Sequence, residues 1–178
     1  MKPQPRTIFT LSLLTAGILC ASATAFAASV PAGTQLAEKQ ELVRNNGNEP
    51  ASLDPHKVES DVEFNIISDI FDGLVSVSPQ GEIQPRLAEK WENKDNTVWT
   101  FHLRPGITWS DGTPITAQDV VWSWQRLVDP KTVSPYASYP GSMHIMNAAE
   151  IAEGKQPTDK LGVKAINDTT LEVTLTQP

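Results

Sequence analysis

Residues 98–103 (VWTFHL) alternate strictly, with Val98, Thr100 and His102 on one side and Trp99, Phe101 and Leu103 on the other. A period of two with three large apolar groups on one face predicts a half-buried strand. Residues 93–96 (NKDN) form the turn that leads into it, and residues 110–114 (SDGTP) form a tight loop after it. The period then changes. Ala117, Val120, Val121, Trp124 and Leu127 or Val128 fall on one helical stripe. Thr116 is a natural N-cap with Asp119 three residues on, so the start resembles a capping box and carries an acid at the positive end of the helix. Asp129-Pro130 stops the helix. Trp122 lies off the stripe.

Elsewhere the pattern is shorter but still periodic. Residues 41–45 (ELVRN) alternate as a strand would, and 45–48 (NNGN) are a turn cluster. Asp54 precedes Pro55 and is pushed toward an extended backbone. Apolar positions 62, 66, 67, 70 and 71 make a helical face, with Gly73 placed as a C-cap glycine. Residues 74–77 and 83–84 flank the Ser78-Pro79-Gln80-Gly81 turn and predict a hairpin. Residues 87–91 read as a short helical turn and 148–153 as a short helix. Residues 162–166 and 170–176 flank Asn167-Asp168-Thr169 as a final hairpin. There are no internal repeats and no low-complexity tract.

The first residues stand apart from this pattern. Lys2 and Arg6 precede a mostly apolar run at 8–19, which is too short for a comfortable membrane span. Ala25-Phe26-Ala27 supplies the small-x-small site, so residues 1–27 are expected to be a signal peptide cleaved after Ala27. Cys20 is the only cysteine. Bulky Leu19 before it argues against a lipoprotein site, and cleavage leaves a mature chain with no thiol chemistry. Fourteen Lys and Arg face 21 Asp and Glu, and the leader takes two of the basic residues with it. The mature chain is therefore more acidic than the net −7 of the whole. That balance excludes nucleic acid as a natural partner, since phosphate binding rests on Lys and Arg.

Candidate chemistry is sparse. His56, His102 and His144 are far apart, and no HxH, HExxH or cysteine pair offers a metal site. No G-x-S-x-G is present, and Asp95-Asn96 and Asp111-Gly112 are turns without the spaced oxygen set of a calcium loop. The chain thus reads as an exported binding scaffold, with no cofactor and no metal, rather than an enzyme. Glu59, Asp61 and Glu63 form an acidic cluster that fits either a ligand contact or a solvated helix start. Tyr136 and Tyr139 sit in a proline-flanked loop that fits either ligand binding or loop packing. The five tryptophans, at strand and helix periodicity, fit core positions better than a stacking platform.

Several stretches in the same order resemble the extracytoplasmic solute-binding proteins (family 5) of peptide ABC importers, most closely their oligopeptide- and murein-tripeptide-binding branches. They are residues 36–40 (LAEKQ), 52–56 (SLDPH), 71–74 (FDGL), 99–126 with Asp129-Pro130, 134–139 (SPYASY) and 161–166 (LGVKAI). The resemblance implies an α/β, two-lobed periplasmic-binding-protein fold. Residues 28–178 would form part of the first lobe with its small inserted subdomain, and the second lobe would be absent. It implies capture of an extended oligopeptide in the periplasm and delivery to an inner-membrane permease by a monomeric protein. The peptide main chain would be held like an added strand. Glu59 matches an acidic ligand contact. Ser60 and Asp61 fall in the same contact stretch but replace a glycine and an apolar residue, and Tyr136 matches a tyrosine lining the cleft. Two other readings share or contest these motifs: a truncated, non-binding remnant, and an exported cell-wall hydrolase.

Overall fold

The computed structural model describes residues 31–178. The expected leader, its cleavage site and Cys20 lie outside these residues. The chain divides into two compact units, Met1–Val43 and Arg44–Pro178. In the first, the described residues 31–43 contain a turn but no helix or strand. The strand expected at 41–45 does not form. Leu42 and Val43 are 89% and 96% exposed, and five alternating residues without a partner strand have no ladder to join.

The second unit starts with α1 (Asp61–Ile70). It ends before Gly73, because Phe71 turns extended (φ −113°, ψ 150°) and its N–H closes on Ile67 O. Gly73 is not a left-handed cap. It permits a close approach instead, since a Cβ there would lie 3.1 Å from Val75 O. The predicted hairpin follows as β1 (Val75–Val77) and β2 (Ile83–Pro85), paired antiparallel with Val77 opposite Ile83.

The main sheet has four strands: β3 (Ala88–Lys94), β4 (Val98–Leu103), β5 (Val163–Asn167) and β6 (Thr170–Thr174). Their order is β3-β4-β6-β5, and every pairing is antiparallel. The helical turn expected at 87–91 is corrected by β3. A bulge between Ala88 and Lys90 places Ala88 opposite Leu103 and Trp91 opposite Phe101. One extra residue thus puts two inward positions three apart, which imitates helical spacing. Asp95 and Asn96 both take φ 54°, the left-handed pair that suits a tight hairpin.

Register assembles the apolar face. Trp99 lies opposite Val173, and Val173 opposite Val163; Phe101 lies opposite Leu171, and Leu171 opposite Ala165. The other face carries the polar row Glu92, Thr100, Glu172 and Lys164. Helix α2 (Ala117–Val128) packs on β5 and β6. Ala117, Val120, Val121 and Val128 are buried in the core, as the stripe predicts. At its start the Thr116 N–H and hydroxyl both donate to Asp119 Oδ2, at 2.7 and 2.9 Å. Short helices α3 (Tyr139–Ser142) and α4 (Ala148–Ala152) complete the packing, with Ile151 and Leu171 fully buried.

Candidate functional site

Residues 51–60 lead into α1 without regular structure, and the two ends of this segment meet at nearly one point. That point is the Glu63 carboxylate, in the first turn of α1. Oε1 accepts the N–H groups of Ala51 and Ser52 at 2.9 and 3.1 Å. Oε2 accepts those of Glu59 and Ser60 at 2.8 and 3.0 Å. One side chain therefore satisfies both ends of the loop and also completes the capping box with Ser60. Val58, within the loop, is fully buried. Inside it, the Asp54 N–H donates to Ser52 Oγ and the His56 N–H to Asp54 Oδ1. The Lys57 N–H donates to Asp54 O. A ten-residue loop with joined ends and its own internal hydrogen bonds has the form of an Ω-loop.

Electrostatics follow the geometry. Glu63 is only 3% exposed, yet its acid is pulled down to about 2 because the Glu59 and Ser60 N–H groups favour its charged form. The solvated role that position in a helix start offered to Glu63 is therefore not the one it plays. Asp61 is exposed and accepts the Val62 N–H at 3.0 Å. Among the described residues, no donor reaches the exposed Glu59 carboxylate, whose own N–H is committed to Glu63. Of the three acids, Glu59 is the one left free.

The middle of the loop is tied to α2. Arg126 forks onto Asp54 with Nη1–Oδ1 at 2.8 Å and Nη2–Oδ2 at 2.6 Å. Hydrogen bonding to Arg126 holds the Asp54 acid well below the usual carboxylate range, and the same contact raises Arg126. Arg126 Nη1 also lies 2.7 Å from His56 Nδ1, and the guanidinium stands 6.0 Å from the centre of the Trp122 ring. Burial first, and the Arg126 charge second, lower the His56 pKa, so the ring is neutral at pH 7.

His56 Nε2 faces Ser123 Oγ at 3.3 Å. A guanidinium only donates, so Nδ1 is the acceptor and Nε2 carries the proton. A serine nucleophile needs the opposite tautomer, with an acid on Nδ1–H and a free Nε2 to take the hydroxyl proton. This Ser–His contact joins the loop to the helix and does not prepare a base.

Beside this cluster lies a cavity of about 560 Å³ lined by Phe71, Leu74, Trp109, Trp122 and Trp124 and by the Asp54–His56–Arg126 group. Trp122 is 62% exposed, as its off-stripe position implied. Glu59, Ser60, Asp61 and Tyr136 do not line this cavity. Tyr136 is nevertheless brought to α1. Its ring packs against Phe64 with centroids 6.2 Å apart, one turn along the helix from Ser60. Tyr139 is 62% exposed. No group of three or more metal-ligating side chains occurs among the described residues, and none of their helices is long and apolar enough to cross a membrane.

Sequence reasoning missed Arg126, Asp54 and Glu63 as organisers of the loop. The local S-x-x-E spacing from Ser60 to Glu63 offered a capping signal for the last of these. Nothing local pairs Asp54 with an arginine 72 residues away.

The model of the bacterial extracellular solute-binding proteins, family 5 (middle region), matches residues 82–178. The periplasmic oligopeptide-binding protein OppA of Salmonella typhimurium is 58% identical over 170 residues, covering 94% of this chain and 31% of that protein. The Escherichia coli murein tripeptide-binding protein MppA superposes with a TM-score of 0.79 at 52% identity, over 82% of this chain and 28% of its own. Haemophilus influenzae OppA in complex with RPPGFSPFR gives 0.77 at 49% identity, over 81% and 28%. The chain thus spans about 31% of the length of that OppA.

Proposed function

Since the chain belongs to the bacterial extracellular solute-binding proteins of family 5, we propose that it forms part of the substrate-binding component of a peptide ABC importer. It contributes to capture of extended oligopeptides and to their delivery to a membrane permease, and it makes and breaks no covalent bond. The observation that carries this reading is the 58% identity, over 94% of the chain, to a protein named for oligopeptide binding.

In this reading residues 28–178 are a portion of the first lobe with a small inserted subdomain, and residues 1–27 are a leader removed in export to the periplasm. The protein works as a monomer. Glu59, Ser60 and Asp61 present the loop's edge to the ligand main chain, and Tyr136 lines the cleft nearby. Main-chain pairing of this kind tolerates many peptide sequences. Support comes from the free carboxylate of Glu59, which suits a cationic ligand group, and from the Tyr136–Phe64 contact, which sets the tyrosine beside α1.

The test is a chimera in which residues 31–178 replace the matching stretch of the Salmonella relative. Calorimetry with tri- to pentapeptides is expected to give affinity within about tenfold of the parent, a difference of about 1.4 kcal/mol. A folded chimera that binds none of them would refute the proposal.

A further inference from the structure

The 51–60 loop carries more constraint than an exposed connection needs. Its two ends share one buried carboxylate, its own Val58 is fully buried, and its middle is gripped by a bidentate arginine from a helix 72 residues on. Glu63 acts on main-chain amides and Arg126 on the Asp54 carboxylate and the His56 ring, and neither engages the Glu59 carboxylate. Such a loop holds its shape before anything binds, so a ligand that pairs with its backbone bears little of the cost of ordering it.

We propose that Glu63 and Arg126 are positioning residues that hold residues 51–60 as a preformed loop, fixing the backbone at 57–61 and the free Glu59 carboxylate in the shape an extended peptide docks against. This rests on the peptide-binding reading above. Glu63 acts from beneath. Its Oε2 takes up the amides of Glu59 and Ser60, so the backbone there cannot turn those amides elsewhere. Arg126 acts from the side. Its fork on Asp54 orients the turn that accepts the Lys57 amide, and through His56 Nδ1 it also fixes the ring that meets Ser123. Neither side chain needs to touch the peptide.

Hydrogen exchange on this chain separates local positioning from general stability. In Glu63→Gln one oxygen becomes an amide donor, so one pair of loop amides loses its acceptor. The amides of one of the pairs 51–52 and 59–60 are expected to exchange at least about tenfold faster, and by a larger factor than those of Phe101 and Leu171 in the sheet. Unchanged loop amides, or equal acceleration everywhere, would overturn the proposal. Should Glu63→Gln not fold, Arg126→Lys reads the same split at residues 56 and 57, because an ammonium cannot reproduce the fork.

The second arm places Glu63→Gln in the peptide-binding chimera. Peptide affinity is expected to fall about tenfold, a loss of about 1.4 kcal/mol, measured at a temperature where the variant chimera is still folded. Undiminished affinity alongside fast loop exchange overturns the link from loop to ligand. A chimera that fails to bind with Glu63 intact refutes the peptide reading instead, and the exchange arm still decides whether the loop is clamped.

Discussion

Replacing Gly162 by alanine should destabilise the protein, although the usual effect of that change outside a left-handed position is the reverse. Gly162 is not among the residues with positive φ, so alanine is compatible with its backbone and would by itself add about 0.4–1 kcal/mol by restricting the unfolded chain. Space decides against it. A methyl group there would stand 2.6 Å from Met146 Cβ and 2.8 Å from Thr174 O, where ordinary carbon contacts begin near 3.5 Å. Neither neighbour can step aside, because the three residues close a ring of main-chain hydrogen bonds. The Gly162 N–H donates to Met146 O at 2.8 Å, the Met146 N–H to Thr174 O at 2.9 Å, and the Thr174 N–H to Gly162 O at 2.7 Å. Overpacking of this kind costs about 1–3 kcal/mol, and a clash with bonded backbone belongs at the upper end. The net loss is then about 2 kcal/mol, or about 4–8 °C in Tm for a domain of this size. Denaturant unfolding followed by tryptophan fluorescence measures it. Gly81→Ala is the contrast: φ is +84° and nothing lies within 4 Å, so its loss of about 1 kcal/mol comes from backbone strain alone. A Gly162→Ala protein as stable as its parent would show that the 145–146 and 174–175 segments yield easily, and the steric reasoning would fail.

Two further outcomes follow from particular groups. Val133 holds φ 53° and ψ 46° with its side chain 79% exposed, a conformation that costs an L-residue about 1–2 kcal/mol. Val133→Gly should therefore gain about 0.5–1 kcal/mol in chemical unfolding after the entropy of glycine is counted, and a loss would mean the valine makes a contact worth more than its strain. Stability should also fall steadily on acidification. Folding lowers the pKa of His56 from 6.5, of Glu63 from 4.5 to about 2, and of Asp54 from 3.8. Each group stabilises the fold above its unfolded value, and each contribution is lost as pH drops through the folded one. The His56 contribution goes first, below about 6.5, and the carboxylates follow below about 4.5. A urea midpoint that is flat or rising from pH 7 to pH 3 would contradict these assignments, and Glu63→Gln should flatten the lower part of the curve.

What the sequence discloses, and what it hides, divides by the range of the forces involved. Helix α2 was legible in every detail, from the Thr116 cap to the Asp129-Pro130 stop, because each cue acts within four residues. Strand β4 and the two hairpins were legible for the same reason, since alternation and turn chemistry are local. Strand β3 was misread because its bulge spaces Ala88 and Trp91 as a helix would, and only pairing with β4 reveals the extra residue. The 41–45 stretch failed the other way: its alternation is present and its partner strand is not. The candidate site follows the same rule. Glu59 and Tyr136 were named through family resemblance, while the residues that shape their surroundings answer to contacts no spacing encodes. Glu63 looked like one acid in a charged cluster, yet it alone of the three sits at 3% exposure under four amides. Arg126 lies in the last turn of α2, and its larger role appears only when the chain folds Asp54 against it. If the loop binds by its backbone as proposed, the side chains that hold it are ones that need not touch the ligand. Those side chains are chosen by tertiary fit, so they are the part of such a site least readable from sequence order and most exposed to test by substitution.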